Sequence, residues 1–240
     1  MRQPQATWRL LLLFLEVTVV RSLLSVGHGL PRTLHCFTSF HWSGRGVAEP
    51  PLSLMARRAQ DDGISSEEVP RLVVMDLDYT MWKPELFQMR GSPYSVRDGK
   101  VRDCKGTVID LFPGVREILL DIHTNERFSE TRVAAASRTE HPTWAREVMD
   151  LMDLGGGVRM ADVFDLAEVY PGSKIRHFGK LRKDSRVPYE DMIFFDDWDV
   201  NCAEVERLGV MSVECPTGLN KNVWKRGLEE YAARKRAGAP

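Results

Sequence analysis

Two aspartates one residue apart, Asp76 and Asp78, follow directly on the apolar run Leu72-Val73-Val74-Met75, with Thr80 two residues further on. Carboxylates that close repel each other when both are ionised. A hard divalent cation such as Mg2+ takes oxygen ligands and neutralises such a pair. Three more polar sites follow apolar runs or open helices. Val133-Ala134-Ala135-Ala136 leads into Ser137, Arg138 and Thr139; Tyr170-Pro171-Gly172-Ser173 leads into Lys174; Met192-Ile193-Phe194-Phe195 leads into Asp196 and Asp197. Acids, a hydroxyl and a buried-type lysine are the parts that phosphoryl transfer needs. A carboxylate can attack phosphorus, and a second carboxylate can move the proton of the leaving oxygen. A cation, a lysine and a hydroxyl then stabilise the charge on the transferred group.

The elements that must hold these groups alternate along the chain. Leu72–Met75, Arg132–Ala136, Val163-Phe164, Met192–Phe195 and Val210–Val213 read as strands. Helices are expected from Pro113, over Thr143–Met152, Ser173–Leu181 and Val200–Leu208, and from Leu219 to about Ala237. A Gly-containing hairpin is expected over Asp98–Val108, and the Gly155-Gly156-Gly157 run as a flexible loop. Strands alternating with helices at this interval imply right-handed βαβ units and a mostly parallel sheet. In such a sheet the C-terminal strand ends open onto one crevice. Asp76, Asp78, Ser137, Lys174, Asp196 and Asp197 should therefore meet at one edge.

Composition excludes some classes of partner. The 240 residues carry 33 basic and 34 acidic side chains, a net charge of −1, so nothing argues for nucleic acid. Cys36, Cys104, Cys202 and Cys215 are scattered without metal-ligand spacing and suggest no disulfide framework. His123, His141 and His177 lack such spacing too and read as surface or packing residues; Met149 and Met152 read as core. Arg234-Lys235-Arg236 reads as a solvated helix end. Residues 1–68 differ from the rest. An apolar run from Leu10 to Val20 is too short to span a membrane comfortably, and the stretch from His28 to Arg58 is Arg-rich and acid-poor. We expect a targeting leader and linker over 1–68, directed to a plastid or a mitochondrion, and a folded domain over 69–240. The rival locations are the secretory pathway and the cytoplasm. The mature form is not expected to span a membrane.

The order Asp76-x-Asp78-x-Thr80, Ser137, Lys174, Asp196-Asp197 resembles the haloacid dehalogenase superfamily, from Val69 to about Ala233. Asp76-Leu77-Asp78-Tyr79-Thr80-Met81-Trp82, Ala136-Ser137-Arg138-Thr139, Tyr170-Pro171-Gly172-Ser173-Lys174 and Phe195-Asp196-Asp197 are most similar to its magnesium-dependent, acid-phosphatase-like members. The resemblance implies a Rossmann-like α/β/α sandwich whose cap is no more than a small flap, built from the Trp82–Asp110 insertion. It implies Asp76 as nucleophile and Mg2+ ligand, and Asp78 as acid/base and backbone-carbonyl ligand. Ser137, Arg138 and Lys174 would hold phosphate, and Asp196 and Asp197 would complete the metal shell, with direct contact open between the two. Trp82 is open between a core residue and a substrate platform. The implied activity is hydrolysis of phosphate monoesters through an aspartyl-phosphate, on phosphotyrosine-protein or on a phosphosugar. A phosphotransferase or mutase is the alternative, and a non-catalytic phosphoacceptor or binding protein is disfavoured because Asp78 is present.

Overall fold

A strand can be apolar at every position only when both faces of its sheet are covered, and Leu72–Met75 (β1) is buried throughout. The computed structural model describes residues 63–238. After β1 the chain enters an inserted segment of β2 (Trp82–Lys83), β3 (Ser95–Arg97), β4 (Lys100–Arg102) and β5 (Val108–Leu111). It continues through α1 (Val115–Thr124), β6 (Arg132–Ser137), α2 (Pro142–Leu151), β7 (Asp153–Gly155), β8 (Val158–Arg159) and α3 (Met160–Val163). β9 (Leu166–Val169), α4 (Lys174–Ser185), β10 (Met192–Asp196), α5 (Asp199–Glu206), β11 (Met211–Glu214) and α6 (Lys221–Arg236) follow.

The central sheet has the order β11-β10-β1-β6-β9 and every pairing in it is parallel. Side chains alternate across it, as the period of two requires. Leu72, Val74, Ala134, Ala136, Met192 and Phe194 pack with Phe178 and Leu181 of α4 and Val205 of α5. Val73, Met75, Val133, Ala135, Ile193 and Phe195 pack with Ile118 of α1, Val148 of α2, and Trp224 and Leu228 of α6. Each fully buried aliphatic or aromatic side chain in these layers contributes roughly 1.5–3 kcal/mol. The result is a three-layer α/β/α domain, as expected.

Register is what aligns the polar strand ends. Met75 pairs with Phe195 on one side and Ala135 on the other. The next residues along, Asp76, Asp196 and Ala136, are therefore level, and the Asp76 N–H donates to the Phe195 carbonyl at 2.9 Å.

The insertion is larger in structure than the expected hairpin. It forms a four-stranded antiparallel sheet, β2-β5-β4-β3. Asp98 and Gly99, both at positive φ (53° and 69°), make the two-residue turn between β3 and β4, a geometry that matches the strand twist. Asp103 anchors the next bend: its carboxylate accepts from the N–H groups of Arg90, Lys105 and Thr107 at 2.8–2.9 Å.

Three expectations are corrected. Val163-Phe164 is not a strand; Val163 ends α3, and the strand begins three residues later at Leu166. Asp165 ties the chain to β6 just before that strand: its side chain accepts from the Val133 N–H at 2.9 Å and its own N–H donates to the Val133 carbonyl at 2.9 Å. The glycine run is a hairpin of β7 and β8, in which Gly155, Gly156 and Gly157 all adopt positive φ. Pro113 precedes its helix, which starts at Val115 after Gly114. Val69 is already buried, close to the expected domain start. The leader, including Cys36, lies outside the described residues except for 63–68. Among the described residues no helix is long and apolar enough to cross a membrane. Cys104, Cys202 and Cys215 are free thiols.

Candidate active site

The centre of the site is an ammonium held between carboxylates. Lys174 opens α4, where Ser173 caps the helix by accepting from the Ile175 N–H. Glu204 of α5 accepts from the Lys174 N–H at 3.2 Å and from the Ser173 hydroxyl at 3.1 Å, so the loop before α4 is tied from outside. The Lys174 side chain is completely enclosed. Its Nζ lies 2.6 Å from Asp76 Oδ1 and 2.9 Å from Asp196 Oδ2, and also donates to the Ala136 carbonyl. All three donor positions of the ammonium are used. Burial alone would lower the pKa of Lys174, but the two carboxylates more than offset it and hold the value above the usual one.

Asp196 is also saturated. Its Oδ1 accepts from the Trp198 N–H (2.9 Å) and from Asn201 Nδ2 (3.0 Å), and its Oδ2 from Lys174 and Asn201 Nδ2 (3.1 Å). Asp197 differs. It is half-exposed, and its contact within the protein is Thr80: the hydroxyl donates to Asp197 Oδ1 at 3.2 Å and accepts from the Asp197 N–H at 2.9 Å. Among the described residues, none donates a hydrogen bond to its other oxygen.

Asp78 is fixed by the insertion. Its Oδ1 accepts from Trp82 Nε1 at 2.8 Å and from the Leu86 N–H at 3.0 Å. Trp82 is fully enclosed, so it is a core residue and not a substrate platform. Ser137 ends β6 with its hydroxyl accepting from the Thr139 N–H at 3.3 Å. Arg138 stands one step out. Its Nη1 donates to Asn201 Oδ1 at 3.0 Å and its guanidinium lies over the Trp198 ring, 5.4 Å from the centroid.

The structure therefore brings Asp76, Lys174 and Asp196 into direct contact. Asp78 lies close enough to add to the upward shift of Asp76, and Asp197 takes an upward shift from Asp196. Ser137 borders them through Ala136, whereas Arg138 reaches them through Asn201 and Trp198. The site also draws on Thr80, Asn201, Glu204 and Leu86. Thr80 was legible as the fifth residue of the Asp-x-Asp-x-Thr run. Asn201, on the first turn of α5, and the backbone donor of Leu86 carry no pattern that marks them. Among the histidines, His141 stacks on Trp144 at 4.0 Å between ring centroids, and His177 is buried against Tyr170, in keeping with packing roles.

Charge decides what can bind here. Asp76, Asp78, Asp196 and Asp197 crowd one lysine. Burial pushes the pKa values of Asp76, Asp78 and Asp197 above the usual carboxylate range, and neighbouring carboxylates push Asp76 and Asp197 further. Glu85 on the insertion is raised as well, by burial and then by Asp78 and Asp197. An anionic ligand meets repulsion at such a cluster unless a cation joins it. Mg2+ suits these donors, since it takes one or two protein carboxylates and keeps several waters. It does not need a preformed cage, and among the described residues no three His, Cys, Asp or Glu side chains form one. A volume of about 350 Å³ lined by His123, Asn125, Phe128 and Asp165 lies beside Val133 near the start of β6, and none of the carboxylates just described lines it.

The chain is 38% identical over 168 residues to the human protein named magnesium-dependent phosphatase 1, covering 68% of this chain and 88% of that protein. It is 34% identical over 157 residues to a HAD-like hydrolase superfamily protein of Schizosaccharomyces pombe, covering 63% of this chain and 88% of the relative. Among solved structures, the N-terminal, phosphatase-domain part of protein BF1531 from Bacteroides fragilis, complexed with Mg, is similar at a TM-score of 0.44 and 14% identity. That match spans 69% of this chain and 40% of the other. The profile of the acid phosphatase family matches residues 68–234, the stretch holding every group described above, and the chain belongs to that family.

Proposed function

We propose that this protein is a Mg2+-dependent phosphatase that hydrolyses phosphate monoesters through an aspartyl-phosphate on Asp76. The observation that carries the proposal is the enclosed Lys174, held 2.6 Å from Asp76 and 2.9 Å from Asp196 beside a third and a fourth carboxylate. Asp76 attacks phosphorus as the leaving oxygen departs. Asp78 gives that oxygen its proton, then takes one from the water that cleaves the aspartyl-phosphate. Lys174 neutralises the nucleophile and the transferred group, and the Ser137 hydroxyl donates to a phosphoryl oxygen. Arg138, reached through Asn201, acts at the substrate's outer part.

Asp76, the Asp78 carbonyl and Asp197 would hold the cation. Asp197 is favoured over Asp196 because every lone pair of Asp196 already has a donor. Bound Mg2+ supplies charge neutralisation between the carboxylates and the incoming phosphate dianion. Of the two substrate classes, phosphotyrosine is favoured over a phosphosugar. Tyr79, directly after Asp78, and Trp198, directly after Asp197, expose 39% and 50% of their surface and offer rings to an aryl group.

The purified chain should release phosphate from p-nitrophenyl phosphate and from phosphotyrosine peptides with Mg2+ present. Activity unchanged by a chelator would contradict the metal assignment, and preference for sugar phosphates over aryl phosphates would contradict the substrate class. Residues 1–68 are proposed to act as an organellar leader on composition alone. A fluorescent fusion of the full chain that distributes like one lacking 1–68 would contradict that.

A further inference from the structure

We propose that Trp82 is the positioning residue that makes Asp78 an effective proton donor, acting through the carboxyl oxygen it holds. This rests on the phosphatase reading of the site. Asp78 sits at the start of a tight loop. The Tyr79 N–H donates to the Trp82 carbonyl at 2.9 Å, Met81 N–H donates to the Leu77 carbonyl at 2.8 Å, and Tyr79 adopts positive φ (60°). That loop returns the chain so that the indole of Trp82, four residues on, donates to Asp78 Oδ1. The Leu86 N–H fills the second lone pair of the same oxygen. Both lone pairs of Oδ1 are thereby filled, so Oδ2 is the oxygen left to serve the leaving group. Two donors on one oxygen also stop the carboxyl from turning about its Cβ–Cγ bond.

Trp82 is itself held rigidly. It is fully enclosed, pairs with Leu111 across β2 and β5, and is flanked by the Phe112 N–H donating to the Met81 carbonyl at 2.9 Å. Its ring cannot swing away to solvent. The inserted sheet thus does more than cover the site. It aims the acid, because the two donors to Asp78 Oδ1 come from its first strand and the turn after it. Proton donation matters most when the leaving group is a poor one, and this gives Trp82 a measurable fingerprint.

Trp82→Phe removes the donor and keeps an aromatic ring. The readout is kcat/KM, which reports the step in which the leaving group departs, for phenyl phosphate and for p-nitrophenyl phosphate. The two are similar in shape, but the nitrophenolate leaves without help from an acid. A positioned general acid contributes about 10²–10⁴-fold, so the variant should lose roughly 10-fold or more on phenyl phosphate and far less on p-nitrophenyl phosphate. Inhibition by orthophosphate should be unchanged, since the phosphate site is intact. Equal losses on both substrates would overturn the proposal, because a merely structural role lowers both alike. A wild-type chain inactive on both substrates would remove the phosphatase reading, and the proposal with it. If Trp82→Phe does not fold, the contact is read on the indole N–H resonance of Trp82 in the 15N-labelled chain. Asp78→Asn should shift it, because the acceptor oxygen changes from a carboxyl to an amide, and an unmoved resonance would overturn the proposal.

Discussion

The ammonium of Lys174 reaches across 98 residues of sequence to stand 2.6 Å from Asp76 Oδ1, with neither charge open to bulk water on the lysine side. Breaking a buried pair by removing one partner costs about 3–5 kcal/mol, because the other charge is left uncompensated. Lys174→Met should therefore lower unfolding stability by about that amount and abolish turnover. Adding Asp76→Asn to it should recover part of the stability and none of the activity. Denaturant unfolding of the two variants measures this. Additive losses would mean that the pair is not coupled.

Asp76, Asp78 and Asp197 all lie above the ordinary carboxylate range, chiefly through burial. A carboxyl raised in the folded state adds stability below its unfolded value of about 4, and that contribution is lost as pH climbs through the raised folded value. The cation-free protein should lose stability in that window. Protons and Mg2+ compete for the same oxygens, so Mg2+ should bind more tightly as pH rises. The rise in melting temperature on adding Mg2+ should be larger near pH ~8 than near pH ~5. A shift independent of pH would show that these carboxylates are not the ligands.

Thr80 is buried and its hydroxyl grips Asp197 at both its N–H and its carboxylate. Groups that orient a metal ligand are typically worth 10–100-fold in metal affinity or activity. Thr80→Val keeps the shape and removes both hydrogen bonds. The Mg2+ concentration for half-maximal activity should rise by about 10-fold or more, while Thr80→Ser should stay near wild type. A Thr80→Val enzyme with unchanged Mg2+ dependence would detach Asp197 from the metal.

Gly218 tests the scaffold rather than the chemistry. It adopts positive φ (83°), and a Cβ there would fall 2.4 Å from Phe112 Cγ. Gly218→Ala combines backbone strain with overpacking, each costing about 1–3 kcal/mol. Melting temperature should fall clearly with KM unchanged. A stable variant would mean that the Phe112 ring yields easily.

Much of this was legible in sequence because the signals were local. Leu72–Met75 and Met192–Phe195 are apolar at every position, which only a covered parallel strand tolerates, and the acids follow them directly. The β3–β4 turn was legible from Asp98-Gly99. What escaped was non-local. Nothing in the sequence showed that Glu204 would tie the loop before Lys174, which needs α4 and α5 side by side, or that Asn201 would bridge Asp196 to Arg138, which needs β6 and β10 in one sheet. Two apolar residues in a row, as at Val163-Phe164, fit a strand or the end of a short helix equally well, and the contact of Asp165 with Val133 on β6 that precedes the strand is non-local. The choice between Asp196 and Asp197 depended on counting hydrogen-bond donors, which needs coordinates.

The central claim is that Asp76 carries the phosphoryl group. Borohydride reduces an aspartyl-phosphate to homoserine, so quenching the enzyme during turnover of p-nitrophenyl phosphate and sequencing the peptides by mass spectrometry locates the intermediate. The account predicts homoserine at position 76, dependent on Mg2+, absent in Asp76→Asn and enriched in Asp78→Asn, where the second step is slowed. Active turnover with no reduced residue at position 76 in Asp78→Asn, or an Asp76→Asn enzyme that keeps more than about a tenth of wild-type activity against an expected loss above ~10³-fold, would contradict it.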